Sequence, residues 1–457
     1  MSNSTNQSLT AEGKKYISLI ELAQASGNAK EVYSLANQLI QSDFEAPEGY
    51  YYKAITTTSM KEGWVLAERL VKIAPQEAKH YLDVAENLGR LYADAYQSKV
   101  KSIMLDIKLA HDLQGSANVL GKRNEQWDKV KVKWKEFVSY AEAVLEGYAK
   151  CISFLDSLTK KENPSNSLSF SEEDTKKANE MAKNLIRQII SVITYCLDGV
   201  ETGNCHPNDC YENIILCDEK QKNSLQEYYA KYINYFGDFS IEDCLAACKN
   251  AKRPENARFF CEQAIKLHPS EYRSYCTGVE RVAELYLKEF QTENATIDSL
   301  ADVEREKLGT DEDENWYEVE ELWNKFAKRG IDKIDKIGDC AMCLPPLLSQ
   351  NDFSAEEKKS IESARMNVAE KIDEMASVLT EGCKKTIFSA IHCTKEDMAA
   401  LKAVLDKYSS LGFKAEIKEK KKKKGGCLST IFKFILFIIL IIIVIIIVAA
   451  VVGSQGK

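Results

Sequence analysis

From Thr10 onward the chain alternates stretches of helical apolar spacing with short polar interruptions, at 26–28, 42–47, 59–63 and 74–75. That rhythm predicts helix, short break, helix, repeated. Between about 76 and 158 the pattern reads as nearly continuous helix, interrupted at 115–124. Trp127 and Trp134 stand two helical turns apart and share a face with Val138, Ala141 and Leu145, which predicts a buried seam. The segment 160–170 is polar and carries Pro164, so it reads as a linker. Phe170, Ser171 and Asp174 then form a staple and capping box that opens a helix over 172–200. Trp316 and Trp323 repeat the tryptophan spacing at the end of an acid-rich helix start, 310–323. Ser354 and Glu357 cap a helix that Gly382 ends, and Thr394 opens another that ends at Gly412.

The pattern changes at 434–452, an unbroken apolar run of 19 residues. A helix of that length matches a hydrocarbon core of roughly 30 Å. The expectation is a single-pass transmembrane helix acting as a tail anchor. Lys420, Lys421, Lys422, Lys423 and Lys424 precede the run, while one lysine follows it, so the lysine bias places the bulk of the chain in the cytoplasm. Lys433 sits at the headgroup edge, and Cys427 at the boundary is a candidate for acylation. The start of the chain has no apolar core of a signal peptide, and the basic cluster precedes the apolar run, the reverse of a wall-sorting signal.

Charge sharpens this division. Residues 414–457 hold nine Lys and two Glu against a whole-chain net of −8, so residues 1–413 carry −15. An acidic body argues against nucleic acid as a partner, because binding phosphates requires a basic face. The eight prolines fall at predicted helix edges, and the long intervals rich in Ala, Leu, Glu and Lys read as an all-α protein. Fourteen cysteines in a long chain expected in the cytosol read as reduced thiols. The organisation expected is an N-terminal helical region (1–160), a central one (171–310), a C-terminal one (311–413), a basic tether (414–426) and the membrane helix (427–452).

A repeat is visible at 34-residue spacing. In frames beginning at Thr10 and Phe44, Ala29, Tyr33 and Ala36 stand opposite Gly63, Ala67 and Leu70, and Gln41 stands opposite Pro75. A further unit at 238–271 places Ile241, Cys244, Leu245 and Cys248 on a first helix, then Ala257, Cys261, Ala264 and Pro269 on a second. Small residues at this spacing let paired helices dock closely. The pattern resembles the tetratricopeptide repeat over about 10–96 and 238–290, with Leu245 where that family prefers Gly and Cys248 where it prefers Tyr. The resemblance implies helical hairpins offering a partner-binding surface. Some members grip a C-terminal carboxylate through Lys and Asn; here Lys14 takes one such place, but Ser18 stands where Asn is required, and that mode is not expected.

Candidate chemistry is sparse. Cys205, His206, Cys210 and Cys217 crowd the segment 196–217, but their spacing matches no zinc knuckle. Cys340 and Cys343 form one C-x-x-C without a partner pair at zinc-finger distance. Cys244, Cys248 and Cys261 fall on repeat-core positions and read as small packing residues. No phosphate loop, nucleophile elbow or metalloprotease motif appears, so neither an enzyme activity nor a cofactor is expected. The reading is a tail-anchored adaptor or scaffold that binds protein partners through its helical repeats. The alternatives are a metal-dependent enzyme or regulator built on 196–217, and a self-associating pore or membrane-remodelling component.

Overall fold

Polar caps and prolines set where the helices begin. Thr10 accepts from the Gly13 amide at 2.9 Å to open α1 (Ala11–Ala25), and Asn28 caps α2 (Ala29–Ser42). Helix α3 (Pro47–Thr56) starts on a proline, where the missing N–H has no intrahelical partner to lose, and Ser59 caps α4 (Met60–Ile73). The computed structural model describes residues 9–74, 78–118, 126–159, 171–201, 214–235, 240–307, 316–385 and 389–414. Residues 1–413 form one compact unit, to which everything below refers. The apolar run, Lys420 to Lys424, Cys427 and Lys433 lie outside the described residues. Among the described residues no helix is long and apolar enough to cross a membrane.

Two long helices follow, α5 (Ala78–Asn118) and α6 (Gln126–Thr159), and then α7 (Glu172–Asp198) with the capping box of Ser171 and Asp174. Two short strands, β1 (Val200–Glu201) and β2 (Ile214–Ile215), pair antiparallel before α8 (Glu219–Ile233). The second half runs α9 (Ile241–Asn250), α10 (Pro254–Leu267), α11 (Tyr272–Glu306), α12 (Trp316–Ala341), α13 (Leu344–Ser349) and α14 (Ala355–Glu381). Strands β3 (Cys383–Lys384) and β4 (Ala390–Ile391), helix α15 (Lys395–Lys407) and a 3-10 turn (Ser409–Leu411) complete it. The fold is an all-α, repeat-like array, and the two strand pairs are a local addition that the sequence pattern does not reveal.

The element order holds a larger repeat than the short hairpin motif. From α3 to α8 and from α9 to α15 the chain builds the same series twice. Helices α3 and α9 have 10 residues each, α4 and α10 have 14, and α7 and α14 have 27. Each 27-residue helix ends on a glycine at positive φ, Gly199 at 70° and Gly382 at 82°. There the chain turns back so tightly that a β-carbon would meet the carbonyl oxygen of Ile215 or Ile391. Side chains follow the same register: Trp127, Val130, Trp134, Phe137 and Cys151 on α6 recur as Trp316, Val319, Trp323, Phe326 and Cys340 on α12.

These residues form equivalent cores. Trp134 and Phe137 lie with centroids 5.1 Å apart, Trp323 and Phe326 5.2 Å apart. Tyr96 from α5 meets Phe137 at 5.8 Å, as Phe290 from α11 meets Phe326 at 4.6 Å. All six rings are buried, and each contributes on the order of 1.5–3 kcal/mol by leaving water. The halves differ where α6 continues to Thr159, while Pro345 and Pro346 lie at the corresponding point of the second half. Proline lacks the N–H that would continue the ladder and clashes with the preceding turn, so α12 stops at Ala341 and α13 restarts at Leu344.

Candidate functional site: a lysine and aromatic groove

In the first half α8 is fastened to α6 by Gln221, whose Nε2 donates to the Lys135 carbonyl at 3.2 Å and to Ser139 Oγ at 3.1 Å, and α4 lies nearby. Between them lies a groove of about 860 Å³ whose walls carry Lys61, Trp64 and Val65 from α4, Lys150 from α6, and Lys231 and Tyr232 from α8. A smaller space of about 320 Å³ continues from it, sharing Lys150 and Lys231 and adding Glu146 and Glu227. Its floor is aromatic. Trp64 Nε1 donates to the Tyr92 hydroxyl at 3.1 Å, and its ring meets Phe154 edge-on at 6.0 Å. Lys231 Nζ lies over the Tyr232 ring, 5.2 Å from the centroid. Lys61, Lys150 and Lys231 are exposed and make no ion pair among the described residues. Val65 is 60% exposed, a large apolar side chain left beside them.

In the second half the matching residues are bonded to one another. Lys407 at the end of α15 and Tyr408 just beyond it correspond to Lys231 and Tyr232, and Asp335, Gly338 and Asp339 on α12 correspond to Glu146, Ala149 and Lys150. The Tyr408 hydroxyl donates to Asp335 at 2.8 Å and Asp339 at 2.5 Å, and Lys407 Nζ pairs with the same carboxylates at 2.9 and 3.2 Å. The Tyr408 bond, with Lys407 behind it, holds the Asp339 carboxyl below the usual aspartate range. The Tyr408 ring packs flat against Gly338, where a β-carbon would overlap it. In the first half Ala149 supplies that β-carbon, and Lys150 places a positive charge where Asp339 places a negative one. The two halves thus differ at this point by a methyl group and a reversed charge, although α8 is fastened to α6 elsewhere through Gln221.

Elsewhere the polar groups serve the scaffold. Burial disfavours the Glu62 charge, yet bonds from Thr57 at 2.6 Å, Tyr33 at 2.8 Å and Lys53 at 3.1 Å hold its carboxyl below the usual range and tie α2, α3 and α4 together. Buried Lys333 on α12 pairs with Glu293 at 2.6 Å and Glu289 at 3.7 Å on α11; burial pushes the Glu289 carboxyl up despite Lys333. Desolvation raises every thiol whose titration is displaced, Cys151 and Cys340 to about 12.

The residues singled out in sequence fall as follows. Ala36, Ala67, Cys244, Ala257 and Ala264 are buried between paired helices. Ala29 is exposed at the start of α2 and Tyr33 is half-buried, because the face of α2 that packs inward is Val32, Ala36 and Leu39. Pro269 is exposed just beyond α10, its carbonyl accepting from Tyr275 at 3.0 Å, and Pro75 lies outside the described residues. Trp127, Trp134, Val138, Ala141 and Leu145 are all fully buried. Cys205, His206 and Cys210 lie outside the described residues, and Cys217 is half-buried. The neighbouring thiols Cys276, Cys248 and Cys261 on α11, α9 and α10 are felt electrostatically by Cys343 and Cys340, and burial raises all five. Among the described residues no group of three or more His, Cys, Asp or Glu side chains is arranged to hold a metal ion.

No family model matches the chain, and no curated protein does. Among solved structures, Naa15/Naa10 bound to HypK-THB matches with 11% identity, covering 88% of this chain. The chain spans 64% of the length of that one, and a TM-score of 0.16 carries nothing across from it.

Proposed function

We propose that this protein is a membrane-anchored scaffold whose helical body binds a protein partner. The observation that carries the binding half is the groove between α4, α6 and α8, lined with lysines and aromatics, whose Lys231 and Tyr232 lack the aspartate that Lys407 and Tyr408 meet at Asp339. Helical arrays of this kind offer such grooves to peptides and helices. The membrane half is supported by the 19 apolar residues at 434–452 and the five lysines before them, which favour a single crossing with the body on the cytoplasmic side. Lysines in such a tether add on the order of 1 kcal/mol each toward anionic lipid. The activity proposed is binding, with no reaction assigned.

The test is to express the full chain and a tail-only control, residues 414–457, in cells and to extract membranes with alkaline carbonate. The full chain is expected in the pellet, with crosslinked partners absent from the control. Extraction of the full chain into the supernatant would remove the anchor, and equal partner recovery from the tail alone would remove the scaffold.

A further inference from the structure

The two halves of this molecule solve the same packing problem differently. In the second, a carboxylate sits between a lysine and a tyrosine hydroxyl: Asp339 accepts from Tyr408 at 2.5 Å and pairs with Lys407 at 3.2 Å. In the first, the lysine, the tyrosine and one of the two carboxylates are retained as Lys231, Tyr232 and Glu146, and the other carboxylate is replaced by Lys150. We propose that the groove between α4, α6 and α8 binds an acidic peptide segment of a partner protein. The Asp or Glu carboxylate of that segment takes the place that Asp339 holds in the second half. This rests on the scaffold reading above and adds the chemistry of the ligand to it.

Charge, shape and surface chemistry converge on that ligand. The larger space carries Lys61, Lys150 and Lys231 against a single exposed carboxylate, Glu68. Three ammonium groups on three different helices gain from one shared anion and repel one another without it. Tyr232 is buried and stacks on Tyr228 at 6.1 Å and Tyr235 at 5.7 Å, and the space beside Lys150 and Lys231 remains available. Trp64, Tyr92 and exposed Val65 provide apolar wall beside the lysines. That pairing suits a peptide, which carries apolar side chains next to its acid, better than inorganic phosphate, which has none. A concave groove walled by three helices also differs from the flat basic face that an anionic membrane surface engages. Glu146 and Glu227 in the adjoining space oppose a second acid there. The segment recognised therefore has an isolated acidic residue flanked by apolar ones and is not a long acidic run.

The experiment presents a displayed library of random peptides to the purified full chain in detergent micelles. Peptides enriched on the wild type are then measured by fluorescence anisotropy beside their Gln or Asn analogues. Enriched sequences should hold an Asp or Glu next to apolar residues, and the amide analogues should bind about tenfold more weakly. Lys150→Asp, which restores the second-half acid, and Lys231→Gln should each weaken binding about tenfold at unchanged melting temperature, and added salt should weaken it further. Several outcomes overturn the inference: enrichment without an acid, no enrichment at all, equal binding of the amide analogues, or indifference to both substitutions. So does full displacement by inorganic phosphate at peptide concentration, or Lys150-dependent capture by anionic vesicles in place of peptide. If the library shows no acid preference while the full chain still crosslinks a partner absent from the tail control, the scaffold reading stands and this inference falls.

Discussion

Gly338 and Ala149 hold the same position in the two halves, and the glycine lies directly against the Tyr408 ring. Gly338→Ala introduces a methyl group into the Tyr408 ring. The expected outcome is a loss of about 1–3 kcal/mol, read by denaturant titration, because the ring must shift or α15 must lift. At Glu62 the sign of the pH dependence follows from three bonds to the charged form. Its folded-state carboxyl titrates below the unfolded one, so its stabilisation is complete above the unfolded value of 4.5 and is lost as pH falls through the lowered folded value. Glu62→Gln should therefore cost stability at neutral pH and progressively less toward acid, in melts recorded across that range. Glu289 behaves oppositely: its folded pKa is raised by burial, so its charge destabilises at neutral pH and the penalty fades as pH falls through the raised value. Only the pairing residues could have been guessed from sequence at this scale. Trp127 and Trp134 were legible because a seven-residue interval fixes a shared face whatever packs on it. The contrast between Lys150 and Asp339 was not, because its meaning depends on a register shared across halves that have diverged elsewhere.

Helix termini were the most legible elements, since their signals are local. Ser354 with Glu357, Ser171 with Asp174 and Thr394 open α14, α7 and α15 where their spacing predicts. The tetratricopeptide-like frame located the hairpins of α3 with α4 and α9 with α10 through small docking residues, while α2 turns a different face inward, Val32, Ala36 and Leu39. The paired strands escaped because two residues carry no alternation to read. Their backbone demand is specific all the same. Gly199→Ala and Gly382→Ala each force a β-carbon against a carbonyl oxygen at positive φ. Each should cost on the order of 1–2 kcal/mol in thermal or chemical unfolding, with the loss similar at both sites if the halves are equivalent.

Across residues 1–413, the doubled series explains what the short repeat leaves over. The long helices between the hairpins, off the register of a 34-residue repeat, belong to a unit roughly five times that length that occurs twice. A repeat of this size is hard to see in one sequence because the offset that α3, α4 and α5 share with α9, α10 and α11 shrinks at each later pair, as shorter connections in the second half accumulate. Reactivity is expected to follow the fold as a whole. With desolvation holding thiols such as Cys151 and Cys340 at about 12, a maleimide at mildly basic pH should leave them unlabelled until denaturant is added.

The clasp at the end of the second half also has a mechanical meaning. Beyond Tyr408 the chain makes its 3-10 turn, and Arg365 on α14 holds the carbonyls of Ser410 at 3.2 Å and Leu411 at 2.5 Å before the unit ends at 413. A pull applied from residue 414 onward enters the body through those bonds and then through Lys407 and Tyr408. Load would therefore fall first on the bonds from Arg365 of α14 and next on the hold of Lys407 and Tyr408 on α12. The second half would yield before the first, which shares none of these bonds and holds the groove.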